Sequence, residues 1–138
     1  MDVKAISHSP AQMFAVVIGA GYLFSGVVGL AQGGTGSTEA FGVLGVNLLH
    51  NLIHIVVFGV VWIAAGLSGP GIAKLGNLAL GAALWLVCLL GLIGWLGWPN
   101  IDAGFAEPHF WLTLVTGAIA VFFGTVGAEL PHRAKVAA

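Results

Sequence analysis

The chain has 138 residues, 59% of them hydrophobic and 7% charged, with a formal net charge of −1. Soluble domains carry about 25% charged residues, so this chain lacks the polar surface that water requires. A soluble enzyme is excluded, and four scattered Lys/Arg side chains make no basic patch for a nucleic acid.

The nine charges leave four uncharged windows, Ala5–Thr38, Ala40–Ala73, Leu75–Ile101 and Pro108–Ala128. A helix crosses the bilayer core in about 20 apolar residues, and each window is long enough. Strands would need alternating polarity and many more segments to close a barrel, so the windows are helices.

Ser9-Pro10-Ala11-Gln12 opens the first span. Ser9 is placed to cap the helix, Pro10 suits its first position, and Gln12 would complete a capping box. Span 1 is predicted over residues 10–31. Its apolar run is longer than the ~7–15 residues of a signal-peptide core, so it reads as a retained span. Residues 32–39 form a glycine-rich loop. Span 2 is predicted over 43–67, and Ser68-Gly69-Pro70-Gly71 turns the chain. Span 3 covers 72–98 and stops before Pro99, because the residue ahead of a proline resists helix. After a loop over Asn100–Glu107, Pro108 opens span 4, predicted over 108–128 and ended by Pro131. The expected architecture is an all-α membrane protein, one four-helix transmembrane bundle over residues 1–138.

Lys4, Lys74, Arg133 and Lys135 all fall on one side of these spans, and Glu39, Asp102 and Glu107 fall on the other. The positive-inside rule then puts both termini in the cytoplasm. Trp95, Trp98 and Trp111 are predicted to form an outer aromatic belt, with Trp62 near the inner boundary. Glycines at positions such as 26, 29, 91, 94, 117 and 124 let backbones approach closely. The single Cys88 sits mid-window and reads as a small buried hydrophobe.

Chemistry concentrates in Asn47-Leu48-Leu49-His50-Asn51-Leu52-Ile53-His54. At about 100° per residue, Asn47, His50, Asn51 and His54 share one face of the outer half of span 2. Polar groups facing lipid are costly, so this stripe belongs in the bundle interior. One reading is structural, with the side chains fastening span 2 to its neighbours. A second makes His50 and His54 ligands of a transition metal (Zn, Cu, Ni or Fe), with His109 at the outer start of span 4 as the third. A third has a histidine ligate a haem or chlorophyll-type ring. Asn47 and Asn51 then support the ligands or the packing. No catalytic residue is assigned: Asn51 stands where a zinc protease needs Glu, and there is no Walker loop, nucleophile elbow or Cys-x-x-Cys.

With its N-x-x-H-N-x-x-H segment opening span 2, its glycine-studded first span and His109 opening span 4, the chain resembles a bacterial domain-of-unknown-function family of small four-span membrane proteins. That resemblance implies a bacterial cytoplasmic (inner) membrane location, the four-span topology and the three histidines, but no reaction. The leading expectation is a non-enzymatic integral membrane protein, either a structural or accessory subunit of a larger complex or a homo-oligomer. A metal- or tetrapyrrole-binding membrane protein is the alternative, and a small-solute transporter a further one. The lipid bilayer is the expected partner, and no nucleic acid is.

Overall fold

A computed structural model of the protein describes residues 9–42, 44–96, 105 and 107–129. Lys4, Arg133, Lys135, Asp102, Trp98, Pro99 and Pro131, which bear on orientation and on the ends of the spans, lie outside the described residues.

The first helix, α1, is Pro10–Gly33 with Pro10 in its first turn. The capping box does not form. Ser9 is extended but its hydroxyl makes no cap bond, and Gln12 Nε2 instead donates to the Gly66 carbonyl at 3.0 Å. Gly66 lies in the last turn of the second helix, where carbonyls lack intrahelical partners, and the buried Gln12 amide supplies one.

The chain after α1 departs from the expected loop. Strands β1 (Thr38–Ala40) and β2 (Leu44–Val46) pair antiparallel, with Thr38 opposite Val46 and Ala40 opposite Leu44. Phe41 (φ 55°) and Gly42 (φ 73°) make the turn between them. The second helix, α2, therefore starts at Leu48, not near residue 43, and runs to Leu67. Asn47 sets that start, because its Oδ1 accepts the His50 backbone N–H at 3.0 Å. Within α2, the stretch His54–Val61 is a π-helix, flanked by α-helical turns Leu48–Ile53 and Trp62–Leu67.

Gly69, at φ 119°, allows the reversal into α3 (Pro70–Leu92), which begins two residues earlier than expected because Pro70 occupies its first turn. It also ends early. Gly94 takes φ 78°, and the N–H groups of Ile93, Gly94 and Trp95 close a turn onto Leu89, Gly91 and Leu90. The fourth helix, α4 (Pro108–Gly124), is shorter and passes into a 3₁₀ turn at Val126–Glu129.

Each helix runs antiparallel to the next. A Cβ at Gly19 would meet Ile63, one at Gly26 would meet Ile55, and one at Gly66 would meet Val16, so α1 and α2 are in backbone contact. Gly81 against Ala120 and Gly124 against Leu78 pair α3 with α4 in the same way. Trp62 is wholly buried between the helices and does not face lipid. Its indole N–H donates to Asn77 Oδ1 at 2.8 Å, and Asn77 Nδ2 donates to the Ala11 carbonyl at 3.0 Å. A lone indole or amide cannot stay unpaired in an apolar interior, so these bonds tie α1, α2 and α3 together.

The outer surface is apolar, with Val17 69%, Leu75 63% and Phe24 62% exposed. Helices α1, α2 and α3 are each long and apolar enough to cross a membrane, and α4 is a shorter apolar helix. The protein is an integral membrane protein built as a four-helix bundle.

Candidate metal centre

His50 sits in the first turn of α2, held by the Asn47 cap beneath it. His54 follows one turn later and is the first residue of the π-helical stretch. His109 is the second residue of α4. Because α2 and α4 both start at the same end of the bundle, three histidines from distant parts of the chain meet there. Ring centroids are 4.4 Å apart for His50 and His54, 4.6 Å for His50 and His109, and 6.0 Å for His54 and His109. His50 is 1% exposed and His109 8%.

The imidazole nitrogens converge. His50 Nε2 and His54 Nε2 are 3.0 Å apart, and one nitrogen from each of the three rings lies within 4.8 Å of the others. A tetrahedral ion with imidazole nitrogens at about 2.0–2.1 Å separates its ligand atoms by roughly 3.3 Å. The His50–His54 pair must open slightly for such an ion and His109 must close on it, movements within the reach of side-chain rotation. Among the described residues no Cys, Asp or Glu joins this group. The donor set is all imidazole, which suits Zn, Cu, Ni or Fe.

One further hydrogen bond fixes the chemistry of His54. The Ser25 hydroxyl on α1 donates its single proton to the Tyr22 carbonyl at 2.9 Å. It also lies 3.0 Å from His54 Nδ1, and toward that atom it is therefore the acceptor. With the Ser25 proton on the Tyr22 carbonyl, the matching His54 tautomer carries its proton on Nδ1 and turns its Nε2 lone pair to the cluster. In that arrangement His50 Nε2–H donates to His54 Nε2, and ligation through His50 Nε2 requires that proton to leave. A ligating histidine held by its other ring nitrogen is the usual arrangement of a metal site.

The Tyr22 ring stands edge-on to His54, with centroids 4.9 Å apart, and packs on Phe58 at 5.2 Å. Beside the three histidines lies a cavity of about 90 Å³, walled mainly by apolar side chains including Phe58, Leu84 and Val87. Sites for sizeable organic ligands occupy about 300–1,000 Å³, more than this cavity offers.

The other polar positions fall elsewhere. Asn47 is spent on the helix cap. Asn51 is buried against α1, where a Cβ at Gly29 would collide with its amide, and it makes no hydrogen bond to the histidines. Cys88 turns its thiol to the Phe110 carbonyl at 3.7 Å, and Glu39 in β1 and Glu107 ahead of α4 stay outside the cluster. Ser25 was not singled out from the sequence. Its signal was modest: the one serine or threonine in the apolar run of span 1, three residues after the only tyrosine.

Over residues 12–126 the chain matches the family described as Domain of unknown function (DUF4383). No curated protein and no solved structure matches it. The matched stretch takes in both strands, the π-helical segment and all three histidines, and the chain belongs to that family.

Proposed function

We propose that this protein binds a transition-metal ion in the membrane through His50, His54 and His109. The observation that carries this reading is the convergence of three imidazole nitrogens within 4.8 Å, drawn from two helices, with His50 and His109 buried and His54 half-buried. Fastening two helices needs one hydrogen bond between them. Three imidazoles turned on one point, with no carboxylate among them, are the donor set of a His₃ site. The Ser25 contact supports the same reading, since it presets the ring nitrogen that a ligand needs.

The proposal extends to placement. The whole chain is read as one membrane domain in a bacterial inner membrane, oriented by Lys74 in the second turn of α3 and by Glu39 and Glu107 at the opposite end. The histidine cluster then lies near the outward end of the bundle.

Metal content of the purified protein tests the reading. Wild type should hold about one equivalent of Zn, Cu, Ni or Fe after incubation with the ion and removal of excess. His54→Ala should hold none while remaining folded by circular dichroism. If wild type takes up no ion, the histidines serve only to fasten helices, and His54→Ala should then cost about 1 kcal/mol of stability and nothing else.

A further inference from the structure

The metal reading leaves a coordination position open, and the surroundings of that position restrict what can fill it. Three histidines are the whole group of His, Cys, Asp and Glu ligands among the described residues, so an ion held by them keeps at least one position for an outside ligand. That position borders the cavity of about 90 Å³, whose walls carry no charged side chain. Apolar cavities of about 150 Å³ stay dry and admit benzene or xenon, and this one is smaller. It suits a compact molecule and is too small for a lipid headgroup.

A second opening supplies the route. Between α1 and α4 lies a groove of about 210 Å³, lined by Ile18, Gly21, Tyr22, Ser25, His54, Leu112 and Thr116. It shares Tyr22, His54 and Leu112 with the inner cavity, so the His54 side chain borders both spaces. The groove opens on the apolar flank of α1, beside the exposed Gly21, and not at the hairpin end of the bundle. Its lining is almost wholly apolar because Ser25 and His54 spend their polar atoms on each other. Water and ions gain nothing there, whereas small apolar gases concentrate in the bilayer core that the groove faces.

Resting on the metal proposal above, we infer that the open coordination position receives a small uncharged, lipid-soluble molecule of the diatomic class, which reaches the ion from the bilayer between α1 and α4. The polar end of the bundle is not its route.

Nitric oxide is the probe. Protein in lipid nanodiscs is loaded anaerobically with Fe(II), the bound iron is measured, and nitric oxide is added while the electron paramagnetic resonance spectrum is recorded. The ferrous nitrosyl signal should appear in proportion to bound iron. Val87→Phe, which fills the inner cavity, should retain iron and lose most of the signal. Gly21→Phe should keep both the iron and the final signal but slow its appearance several-fold. A Cβ at Gly21 meets nothing within 4 Å, so that variant is expected to fold. Stoichiometric iron with no nitrosyl signal would overturn the inference and leave the metal site standing. A nitrosyl that forms equally fast in Gly21→Phe would overturn the lateral route. If the protein binds Zn, Cu or Ni but not Fe(II), this inference is overturned and the metal site stands; if it binds none of the four, the metal reading fails, and this inference fails with it.

Discussion

Ser25 has one hydroxyl proton, and the Tyr22 carbonyl takes it. His54 is left to donate from Nδ1, which aims its other nitrogen at His50. Ser25 thus acts on the site through His54 and is a positioning residue. Ser25→Ala should weaken metal affinity about 10–100-fold, the usual effect of losing such a partner, with stoichiometry unchanged at high metal concentration. Ser25→Thr, which keeps the hydroxyl, should restore most of the affinity. Competition with a chromophoric chelator measures both, and equal affinity in Ser25→Ala and wild type would show that the hydroxyl does not position the ring. At this scale the sequence was legible for His50 and His54, because four residues along a helix is one turn and imidazoles are conspicuous among leucines. Asn47 and Asn51 looked equivalent to them on the same arc. They separate only in three dimensions, where one closes the helix start and the other turns to α1. Asn77 and Ser25 went unread because one amide or hydroxyl in an apolar span announces no partner.

At the scale of elements, α1 shows what its glycines do. Gly29 and Gly21 lie on the same helix, yet a Cβ at Gly29 would strike the buried Asn51 amide, whereas one at Gly21 would meet open space. Gly29→Ala should therefore destabilise the bundle by about 1–3 kcal/mol through overpacking, and Gly21→Ala should be neutral or mildly stabilising. Thermal unfolding in detergent separates the two, and equal effects would show that α1 and α2 are not in the contact described. The π-helical stretch starts at His54, and such segments occur most often at functional sites. Nothing in the run His54–Val61 distinguishes it from ordinary helix, since an extra residue per turn leaves no mark on apolar composition. The β1–β2 hairpin was equally silent: three-residue strands among glycines carry too little alternation to outweigh the apolar character of Val43–Val46. The stronger signal was Asn47 itself, a good N-cap ahead of Leu48, which would have moved the helix start to its observed place.

At the scale of the molecule, four charge-free windows were enough to reveal four helices, because the bilayer demands length and apolarity of every spanning segment. The proposed orientation rests on counting Lys and Arg at the two ends. Ser37, in the connection after α1, and Ser68, at the α2–α3 turn, are exposed and lie at opposite ends of α2. With Cys88→Ala as background, Ser37→Cys should react with a membrane-impermeant thiol reagent on intact cells, and Ser68→Cys should react only after lysis. The opposite pattern would invert the bundle and turn the histidine end toward the cytoplasm. What windows and charges do not contain is the pairing of helices. His109 lies 55 residues after His54, and only the antiparallel order of α1 to α4 returns it to the same depth.

Three imidazoles from two helices are proposed to hold one ion. X-ray absorption of the protein loaded with one equivalent of Zn(II) reads that coordination directly. Three imidazole nitrogens at about 2.0–2.1 Å should appear, with the characteristic outer-shell scattering of histidine rings, and one ligand from outside the protein completing the sphere. His109→Ala should remove one of the three. A first shell made of oxygen, or a spectrum that His50→Ala, His54→Ala and His109→Ala leave unchanged, would contradict it.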